Sequence, residues 1–440
     1  MILSGWGQYP MVDANLNAPR TFQDLKSKML QNNCIARGNG RAYGDSAINS
    51  HNTIHMKNFN RILSFDNKYG QLVVEAGVML SDVIKVFLPQ GWFPYVTPGS
   101  KFVTIGGMIA ADVHGKNHHK EGSFGKYVDW IDVIVSDGKV YRCSKTENRK
   151  IFEWTIGGMG LTGIIIRVAF KLRSINSAWI QQRTLVAKNI TQAMQLLEQS
   201  QEATYSAAWI DCLQKGNSLG RSLVMLGEHA HINKIPLKYK NSPLQIPKRK
   251  KLNITFNLPN LILNKFSVRS FNAFYYWKGR FQDENKLVDL ESFFYPLDSI
   301  IGWNKIYGRR GFAQFQCVIP LSNAKKGLSE LLEATSKVGV GSFLAVLKRF
   351  GKQSSRFSFP MEGYTLALDF PVNKKTLAFM SELDSITLKH KGRFYLAKDS
   401  RMSRDVFTKS DPRSDYYKNY RKICGLNINF SSLQSERLGL

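Results

Sequence analysis

The chain has few cysteines and no long hydrophobic run, and both features limit what it can be. Its five cysteines are scattered and include no C-x-x-C pair: Cys34, Cys143, Cys212, Cys317 and Cys424. This spacing indicates neither a disulfide framework nor a zinc knuckle and favours reduced thiols. No uninterrupted apolar stretch reaches the ~18 residues of a membrane-spanning helix, and the N-terminus lacks a signal-peptide pattern. We therefore expect a soluble or peripheral cytoplasmic protein.

Acidic residues are also scarce. The sequence has 33 Asp and Glu against 61 Lys and Arg, which gives a net charge of +28. Such a charge favours anionic partners, namely nucleic acid, an acidic membrane surface or a phosphorylated substrate. Because no nucleic-acid-binding module or repeated basic and aromatic platform is present, we expect no nucleic acid as partner. The length of 440 residues and the hydrophobic share of 43% indicate a globular chain, and the length suggests two domains.

Glycine, in contrast, is concentrated in three segments. The segment 97 to 119 combines the Pro98-Gly99 turn, the Gly106-Gly107 pair and three histidines, of which His114 is the first. Paired glycines let a backbone approach a large ligand, and a histidine at its edge can handle a proton. The alternative interpretation is a glycine-rich turn followed by solvated histidines.

The second segment, residues 37 to 46, follows a predicted strand around Cys34. Its backbone N–H groups can cradle a diphosphate, with Arg37 or Arg41 adding positive charge. The G-x-G-x-x-G spacing is absent, which disfavours a nicotinamide-binding Rossmann domain. A third segment, residues 157 to 163, leads into a predicted strand at 164 to 170. Three such loops favour an extended ligand.

The pattern of strands and helices predicts an α+β fold. The first ~170 residues alternate strands with short helices and include a hairpin at 130 to 143. The region from 177 to 392 predicts an antiparallel sheet backed by helices near 322 to 338 and 373 to 389. Alternation in its strand at 312 to 319 places Gln314 and Gln316 on one face, which is either a sugar-recognising face or an exposed one.

Two further segments carry charge. Residues 393 to 401 are predicted as a strand that ends in a charged cluster, where Lys398 is either an ion-paired structural residue or an active-site cation. Residues 243 to 270 combine the basic cluster 246 to 251 with an apolar run. That composition indicates an insertion that touches an anionic membrane or a lipid tail. The alternative is a mobile loop with a solvated charge run.

The motifs, taken together and in order, resemble those of the vanillyl-alcohol-oxidase superfamily of PCMH-type FAD flavoproteins. They are Arg37-Gly-x-Gly-Arg-x-Tyr-Gly-Asp45, Gly106-Gly107, His114-Gly-Lys-Asn-His-His119, Gly157-Gly-x-Gly-Leu-Thr-Gly163 and Ala397-Lys-Asp-Ser-Arg401. Over nearly its whole length the chain is similar to the branch that oxidises polyprenyl-phosphate-linked ribose. The resemblance implies a two-part FAD-binding domain, residues 1–177 with 393–440 returning to it. It implies a substrate domain, residues 178–392, that contains the mobile insertion at about 243–270.

The resemblance also assigns roles to residues. The implied catalytic residues are Lys398, His114 and Tyr43, and the implied substrate residues are Gln314, Gln316, Lys348, Trp209 and Lys116. The implied FAD contacts are Ala36, Arg37, Gly38, Asn39, Gly40, Arg41, Ala42, Tyr43, Gly44, Asp45, Ser46, Gly99, Thr104, Ile105, Gly106, Gly107, Ala111, Asp112, His114, Ile165 and Tyr395. No metal is expected.

Two positions depart from the family pattern in ways that affect chemistry. Arg41 occupies the place where many relatives carry a flavin-linked histidine, so we expect non-covalent FAD. Ala367 and Ala111 stand where relatives have cysteines, so cysteine-directed inhibition should not transfer to this chain.

The function implied by the resemblance is FAD-dependent oxidation of the ribose 2′-hydroxyl of a polyprenylphosphoryl-β-D-ribose to the 2′-keto sugar. This is the first half of an epimerisation to an arabinose donor. The implied partners are an NADH-dependent short-chain ketoreductase, the anionic inner face of a membrane, and a quinone or oxygen as electron acceptor. One alternative is a soluble sugar, alditol or aldonolactone oxidase of the same fold. A second is a non-enzymatic, basic membrane- or nucleic-acid-binding protein.

Overall fold

The computed structural model describes residues 1–31, 33–247, 249–259 and 264–440, and their strands form five sheets. Two small sheets begin the chain. One is an antiparallel pair, Ile2–Leu3 with Val12–Asp13. The other is parallel, in the order Leu16–Asn17, Thr53–His55 and Ile35–Arg37. The helix Phe22–Gln31, which buries Leu25 and Met29, lies in the chain between two of these parallel strands.

A six-stranded antiparallel sheet follows in the first part of the chain. Its order is Val140–Ser144, Val128–Ile134, Ile164–Ser174, Gln71–Glu75 and Ile62–Asp66, with Trp92–Pro94 also pairing to Ile164–Ser174. The pairing of the first two strands confirms the predicted hairpin. The helices of this part are Leu80–Phe87, Ile105–Ala110, His118–Glu121 and Arg149–Thr155.

An eight-stranded antiparallel sheet forms the centre of the second part. Its order is Asn285–Asp289, Trp179–Ala187, Ser222–His229, Tyr205–Ile210, Val346–Phe350, Gly363–Pro371, Phe312–Pro320 and Arg393–Phe394. The helices that pack against it or against one another are Ile190–Gln199, Lys265–Arg280, Leu290–Phe294, Leu321–Val338 and Lys374–Lys389. Leu328 and Leu331 of the longest helix are fully buried in the same core as Phe315 and Cys317 of the sheet. This arrangement confirms the α+β class and the antiparallel sheet backed by helices.

The predicted strand at 393 to 401 is wrong in extent. Only Arg393–Phe394 is a strand, and it pairs with Phe312–Pro320 at the edge of the eight-stranded sheet. The chain then turns, because the N–H of Lys398 donates to the Tyr395 carbonyl at 2.9 Å. The Asp399 carboxylate closes the next turn by accepting from the N–H groups of Arg401 and Met402. Lys398 therefore lies in a turn and not at a strand end.

The predicted insertion at 243 to 270 also changes in extent. Its last residues belong to the helix Lys265–Arg280, which begins with a capping box at Asn264. A short strand, Leu252–Asn253, pairs in parallel with Ile300–Ile301. Lys248 and the apolar residues Leu261, Ile262 and Leu263 of this segment lie outside the described residues.

The C-terminal residues pack against the first part of the chain. Their helices are Arg404–Ser410, Arg413–Ile423, Leu426–Asn429 and Leu433–Leu438. The Tyr417 hydroxyl donates to the Gly158 carbonyl at 2.7 Å, and Arg437 pairs with Asp45 at 2.8 Å. Within the described ranges, no helix has the length and apolar character needed to cross a bilayer.

Candidate functional site

A cavity of about 310 Å³ lies where the three glycine-rich segments face the eight-stranded sheet. Loop and helix-start residues from 36 to 47, 98 to 114 and 159 to 165 form one wall. The opposite wall comes from the sheet and from the turn that follows it, and its members are Gln314, Gln316, Val346, Lys348, Thr365, Ala367, Tyr395, Ala397 and Lys398. The cavity thus brings together sequence motifs from the first glycine-rich segment near the N-terminus to the turn at Lys398.

Glycine is required where these segments touch. A Cβ on Gly38 would collide with the hydroxyl of Thr104, and a Cβ on Gly106 would lie 2.8 Å from the Cβ of Ala76. Thr104 is the N-cap of helix Ile105–Ala110 and accepts from the N–H of Gly107. The first loop therefore packs directly on the helix start, and the absent side chains let both backbones reach the cavity.

The first loop contains a run of backbone N–H groups without partners in the described residues. The residues 38 to 42 all line the cavity, and none of their N–H groups has an acceptor in the described part of the chain. Consecutive unpaired N–H groups in a turn form a concave anion-binding surface. Such a surface at the edge of a cavity fits the diphosphate of a dinucleotide cofactor.

Most of the implied cofactor residues line the cavity. They are Ala36, Gly38, Asn39, Gly40, Arg41, Ala42, Ser46, Gly99, Thr104, Gly106, Gly107, Ala111, His114, Ile165 and Tyr395. The other implied cofactor residues, which the structure places behind this wall, are Arg37, Tyr43, Gly44, Asp45, Ile105 and Asp112. Arg37 donates to the Ser4 carbonyl at 2.7 Å, and Asp112 accepts from the Ser123 hydroxyl at 2.7 Å, so both support the wall from outside.

Several lining residues were not identified from the sequence. They are Ala47, Met56, Ala76, Pro98, Met108, Ala110, Met159, Gly160, Gly163, Val346, Thr365, Ala367 and Ala397. Gly160 and Gly163 belong to the third glycine-rich segment, which was a usable signal. Thr365 and Ala367 alternate along one strand, and Ala367 lies opposite Gln316 in the register. The remaining residues are small or apolar and carry no distinctive sequence pattern.

His114 lies between the two walls with one nitrogen unpaired. The Gln316 amide donates to its Nε2 at 3.2 Å, which leaves the ring proton on Nδ1. Nδ1 is buried and has no hydrogen-bond partner in the described residues. Burial first, and then the charge of Lys348, lower the pKa of His114 well below its ordinary value, so the ring is neutral. The neutral ring therefore carries an N–H at Nδ1 without a partner in the described residues, and His114 lines the cavity.

Two buried lysines belong to the opposite wall. The Lys398 Nζ lies 3.3 Å from the centre of the Tyr43 ring, a cation–π distance. Burial lowers the pKa of Lys398, and the charge of Asp369 opposes that shift. Burial also lowers the pKa of Lys348, to about 8. Both lysines can therefore gain or lose a proton near neutral pH.

Asp369 lies behind the two predicted glutamines. It is opposite Gln314 in the strand register and accepts from the Gln314 amide. Burial raises the pKa of Asp369, and the charge of Lys398 opposes this shift. The predicted orientation of the Gln314 and Gln316 strand is confirmed, since both amides line the cavity while Phe315 and Cys317 are buried in the core.

Two implied substrate residues lie elsewhere. Trp209 is buried under Tyr275 at 4.8 Å between ring centres, and its indole N–H donates to the Phe343 carbonyl. Lys116 donates to the Phe293 carbonyl and lies over that ring at 4.3 Å. Burial lowers the pKa of Lys116 to about 7. Neither side chain lines the cavity.

Cysteines and metal ligands do not contribute to the site. No cysteine lines the cavity, and its wall includes both Ala111 and Ala367. Four of the five cysteines are buried elsewhere, and Cys424 is exposed. Among the described residues, no group of three or more His, Cys, Asp or Glu is placed to hold a metal ion.

The geometry agrees with the relatives of the chain. The family of the FAD binding domain matches residues 28–144. Decaprenylphosphoryl-beta-D-ribose oxidase of Mycolicibacterium smegmatis is 35% identical over 412 residues, which cover 92% of this chain and 89% of the relative. An uncharacterized protein of Streptomyces coelicolor is 27% identical over 82% of this chain and 100% of its own length. L-gulonolactone oxidase of Mus musculus is 29% identical over 30% of each chain.

The protein is an FAD-dependent oxidoreductase. This class is indicated by the domain match, by the glycine-lined cavity with its unpaired N–H groups and by the buried lysine. The chain belongs to the decaprenylphosphoryl-β-D-ribose oxidase family of PCMH-type FAD flavoproteins. The enzyme class and the FAD requirement predicted from the sequence are thereby confirmed.

Proposed function

We propose that the enzyme oxidises the 2′-hydroxyl of a polyprenylphosphoryl-β-D-ribose to the 2′-keto sugar. The main support is the buried Lys398 opposite the glycine-rich wall, in a chain similar over 92% of its length to an oxidase of decaprenylphosphoryl ribose. The product is the first intermediate of an epimerisation to an arabinose donor. A partner that reduces a ketone with NADH would complete the inversion.

We propose that FAD is bound without a covalent link. When bound, FAD supplies the acceptor for a hydride from the sugar carbon. The unpaired N–H groups of residues 38 to 42 would hold its diphosphate. Arg41, in the position of the linking histidine of many relatives, lines the cavity with its guanidinium 3.9 Å from the Trp6 ring centre. An arginine at this point has no nucleophile for a flavin bond but adds positive charge near the phosphates.

Lys398 is the proposed base for the hydroxyl proton. A lysine removes a proton only in its neutral form, and burial favours that form at neutral pH. The Tyr43 ring beneath Nζ holds the side chain in place and stabilises the ammonium formed after the transfer. Tyr43 is a positioning residue in this scheme, because it lies behind the cavity wall.

The remaining polar groups are proposed to orient the sugar. Gln314, Gln316 and Lys348 line the same wall as Lys398 and present amides and a cation to hydroxyl or phosphate oxygens. His114 is neutral and donates from Nδ1, so it can bind an oxygen without adding charge. Trp209 and Lys116, which lie away from the cavity, are proposed to act indirectly through the sheet and through Phe293.

We further propose that the enzyme works as a peripheral protein at an anionic, cytoplasmic membrane face. The net charge of +28 and the lipid anchor of the proposed substrate support this location. A quinone in the bilayer or dissolved oxygen would reoxidise the flavin. The described part of the segment at 243 to 259 contributes exposed Leu252 and Phe256 to the surface.

A soluble aldonolactone oxidase is the alternative that a specific observation favours, namely the partial similarity to L-gulonolactone oxidase. The identity of the oxidised carbon separates the two. The product formed from polyprenylphosphoryl ribose is reduced with borodeuteride and hydrolysed, and we expect deuterium only at C2 of the pentose. Deuterium at another carbon, or turnover of L-gulono-1,4-lactone but not of the lipid-linked sugar, would contradict the proposal.

A further inference from the structure

The helix Lys265–Arg280 exposes an aromatic surface that no described residue covers. Its buried positions are Val268, Asn272, Tyr276 and Gly279, which repeat at helical spacing. Asn272 donates to Asp211 at 3.0 Å, and Tyr276 donates to the Ala187 carbonyl at 3.2 Å. These contacts fix one face of the helix on the eight-stranded sheet and determine which side chains face outwards.

The outward side chains are large and apolar. Phe266 is 80% exposed, Phe274 60%, Trp277 57% and Phe281 72%. At about 100° per residue these four lie within an arc of roughly 80°, opposite the buried face. Trp277 contacts both neighbours, at 6.3 Å from Phe274 and 5.2 Å from Phe281 between ring centres. Single exposed apolar residues are common on soluble proteins, but a contiguous aromatic patch marks an interaction site.

Basic side chains flank the aromatic patch on both sides. On the same wheel Lys278 lies on one side of it, and Arg269 and Arg280 lie on the other. All three are exposed, and none of them forms an ion pair within the described part of the chain. The sequence from Lys265 to Arg280 contains no acidic residue. An outward aromatic arc between unpaired cations suits the headgroup region of an anionic bilayer, where tryptophan and phenylalanine insert and cations bind phosphate.

The helix is also connected to the proposed active site. Phe271 packs on Phe343 at 5.8 Å, and Tyr307 stacks on the same ring at 5.9 Å. Tyr307 stacks on Phe312 at 4.4 Å, and Phe312 contacts Tyr43 at 5.1 Å beneath Lys398. One continuous row of rings therefore joins the exposed helix to the residue that supports the proposed base.

We propose that the outward face of helix Lys265–Arg280, centred on Trp277, is the surface by which the enzyme docks on an anionic lipid bilayer. The helix lies in the plane of the membrane interface. It does not span the bilayer, because it has only 16 residues. This inference rests on the proposed function for its purpose, since a lipid-linked sugar must be taken from a membrane. The occupant is the lipid surface itself and not a second protein.

Sedimentation of the flavin-loaded full chain with vesicles tests this docking surface. We expect wild-type protein to pellet with vesicles of phosphatidylglycerol and phosphatidylcholine in equal parts, and far less with phosphatidylcholine alone. The double variant Trp277→Ser and Phe281→Ser is expected to lose about tenfold or more of this affinity. A control variant replaces two equally exposed aromatics on other parts of the surface, Tyr69→Ser and Tyr416→Ser, and should bind like wild type.

A second measurement keeps the test independent of variant folding. Tryptophan fluorescence of wild type should be quenched by vesicles of brominated phosphatidylglycerol, and Trp277→Phe should lose most of that quenching. No vesicle binding by wild type, unchanged binding by the double variant, or a dimer in solution that depends on Trp277 would overturn the proposed surface.

Activity separates this inference from the proposed function. With a detergent-solubilised polyprenylphosphoryl ribose, the double variant should retain wild-type turnover because the cavity is untouched. Vesicle binding without any turnover of this substrate would contradict the proposed function and leave the docking surface standing. Turnover of this substrate without vesicle binding would contradict the docking surface and leave the proposed function standing.

Discussion

Lys398 is buried in the cavity wall, and two charged neighbours shift its pKa in opposite directions. Burial and Lys348 lower the pKa of Lys398, whereas Asp369 raises it. Asp369 is itself held by Gln314, which lies opposite it in the pairing of two strands. A lysine tuned in this way can alternate between neutral base and ammonium near neutral pH, which an arginine cannot do.

Replacement of Lys398 by alanine is expected to separate cofactor binding from chemistry. The variant should retain FAD, because the diphosphate cradle at 38 to 42 is unchanged, yet flavin reduction by substrate should slow about 10²–10⁴-fold. Rapid anaerobic mixing with polyprenylphosphoryl ribose measures this rate. Lys389→Ala, which removes an exposed lysine paired with Glu330, is the matched control. A Lys398→Ala enzyme with the wild-type reduction rate would exclude its role as base.

The pH dependence of flavin reduction tests the electrostatic coupling between Lys398 and Asp369. Because the base must be neutral, the reduction rate should rise with pH and level off well below the ordinary lysine pKa of 10.5. Asp369→Asn removes the negative charge that raises the pKa of Lys398. The acid limb, which is the rising part of the pH–rate profile, should therefore move to lower pH. The limb is measured from the reduction rate at saturating substrate. An unchanged or upward-shifted limb in Asp369→Asn would contradict this coupling.

At the level of elements, the site depends on contacts between glycine-rich loops and a helix start. The sequence predicted these loops and the alternation of Gln314 and Gln316, because glycine spacing and strand periodicity are local properties. It did not predict the turn at Lys398, since the aromatic and apolar run from Phe394 to Ala397 favours a strand, and the bend depends on the hydrogen bonds of Tyr395 and Asp399. The helix Lys265–Arg280 was missed because its outward face is as apolar as its buried one, which hides helical periodicity.

The contact between the first loop and Thr104 can be tested with two glycine variants. Gly38→Ala should displace the Thr104 hydroxyl that caps helix Ile105–Ala110 and lower the free energy of unfolding by about 1–3 kcal/mol. Gly99→Ala should leave the stability of the apoprotein unchanged, because a Cβ there meets no atom within 4 Å. Chemical denaturation of both apoproteins measures the difference. Equal stability of the two variants would contradict the proposed packing of the loops.

At the scale of the whole molecule, sheet geometry explains why distant motifs form one site. The first glycine-rich loop follows Ile35–Arg37 of the small parallel sheet, and the third leads into Ile164–Ser174 of the six-stranded sheet. The eight-stranded sheet carries the polar wall, and the C-terminal helices contact the third loop through bonds such as Tyr417 to Gly158. The change of sheet falls between Ser174 and Trp179, close to the predicted boundary at 177. Arg393–Phe394, at the predicted second boundary, still pairs within the eight-stranded sheet.

The proposed function requires that the flavin of this enzyme accept electrons from a lipid-linked ribose. The visible absorption spectrum of the purified protein under anaerobic conditions tests it most directly. We expect a flavin spectrum that is bleached by polyprenylphosphoryl ribose and is unchanged by free alditols or by L-gulono-1,4-lactone. A colourless protein that does not take up FAD, or a flavin that is bleached by the lactone and not by the lipid-linked ribose, would contradict the claim.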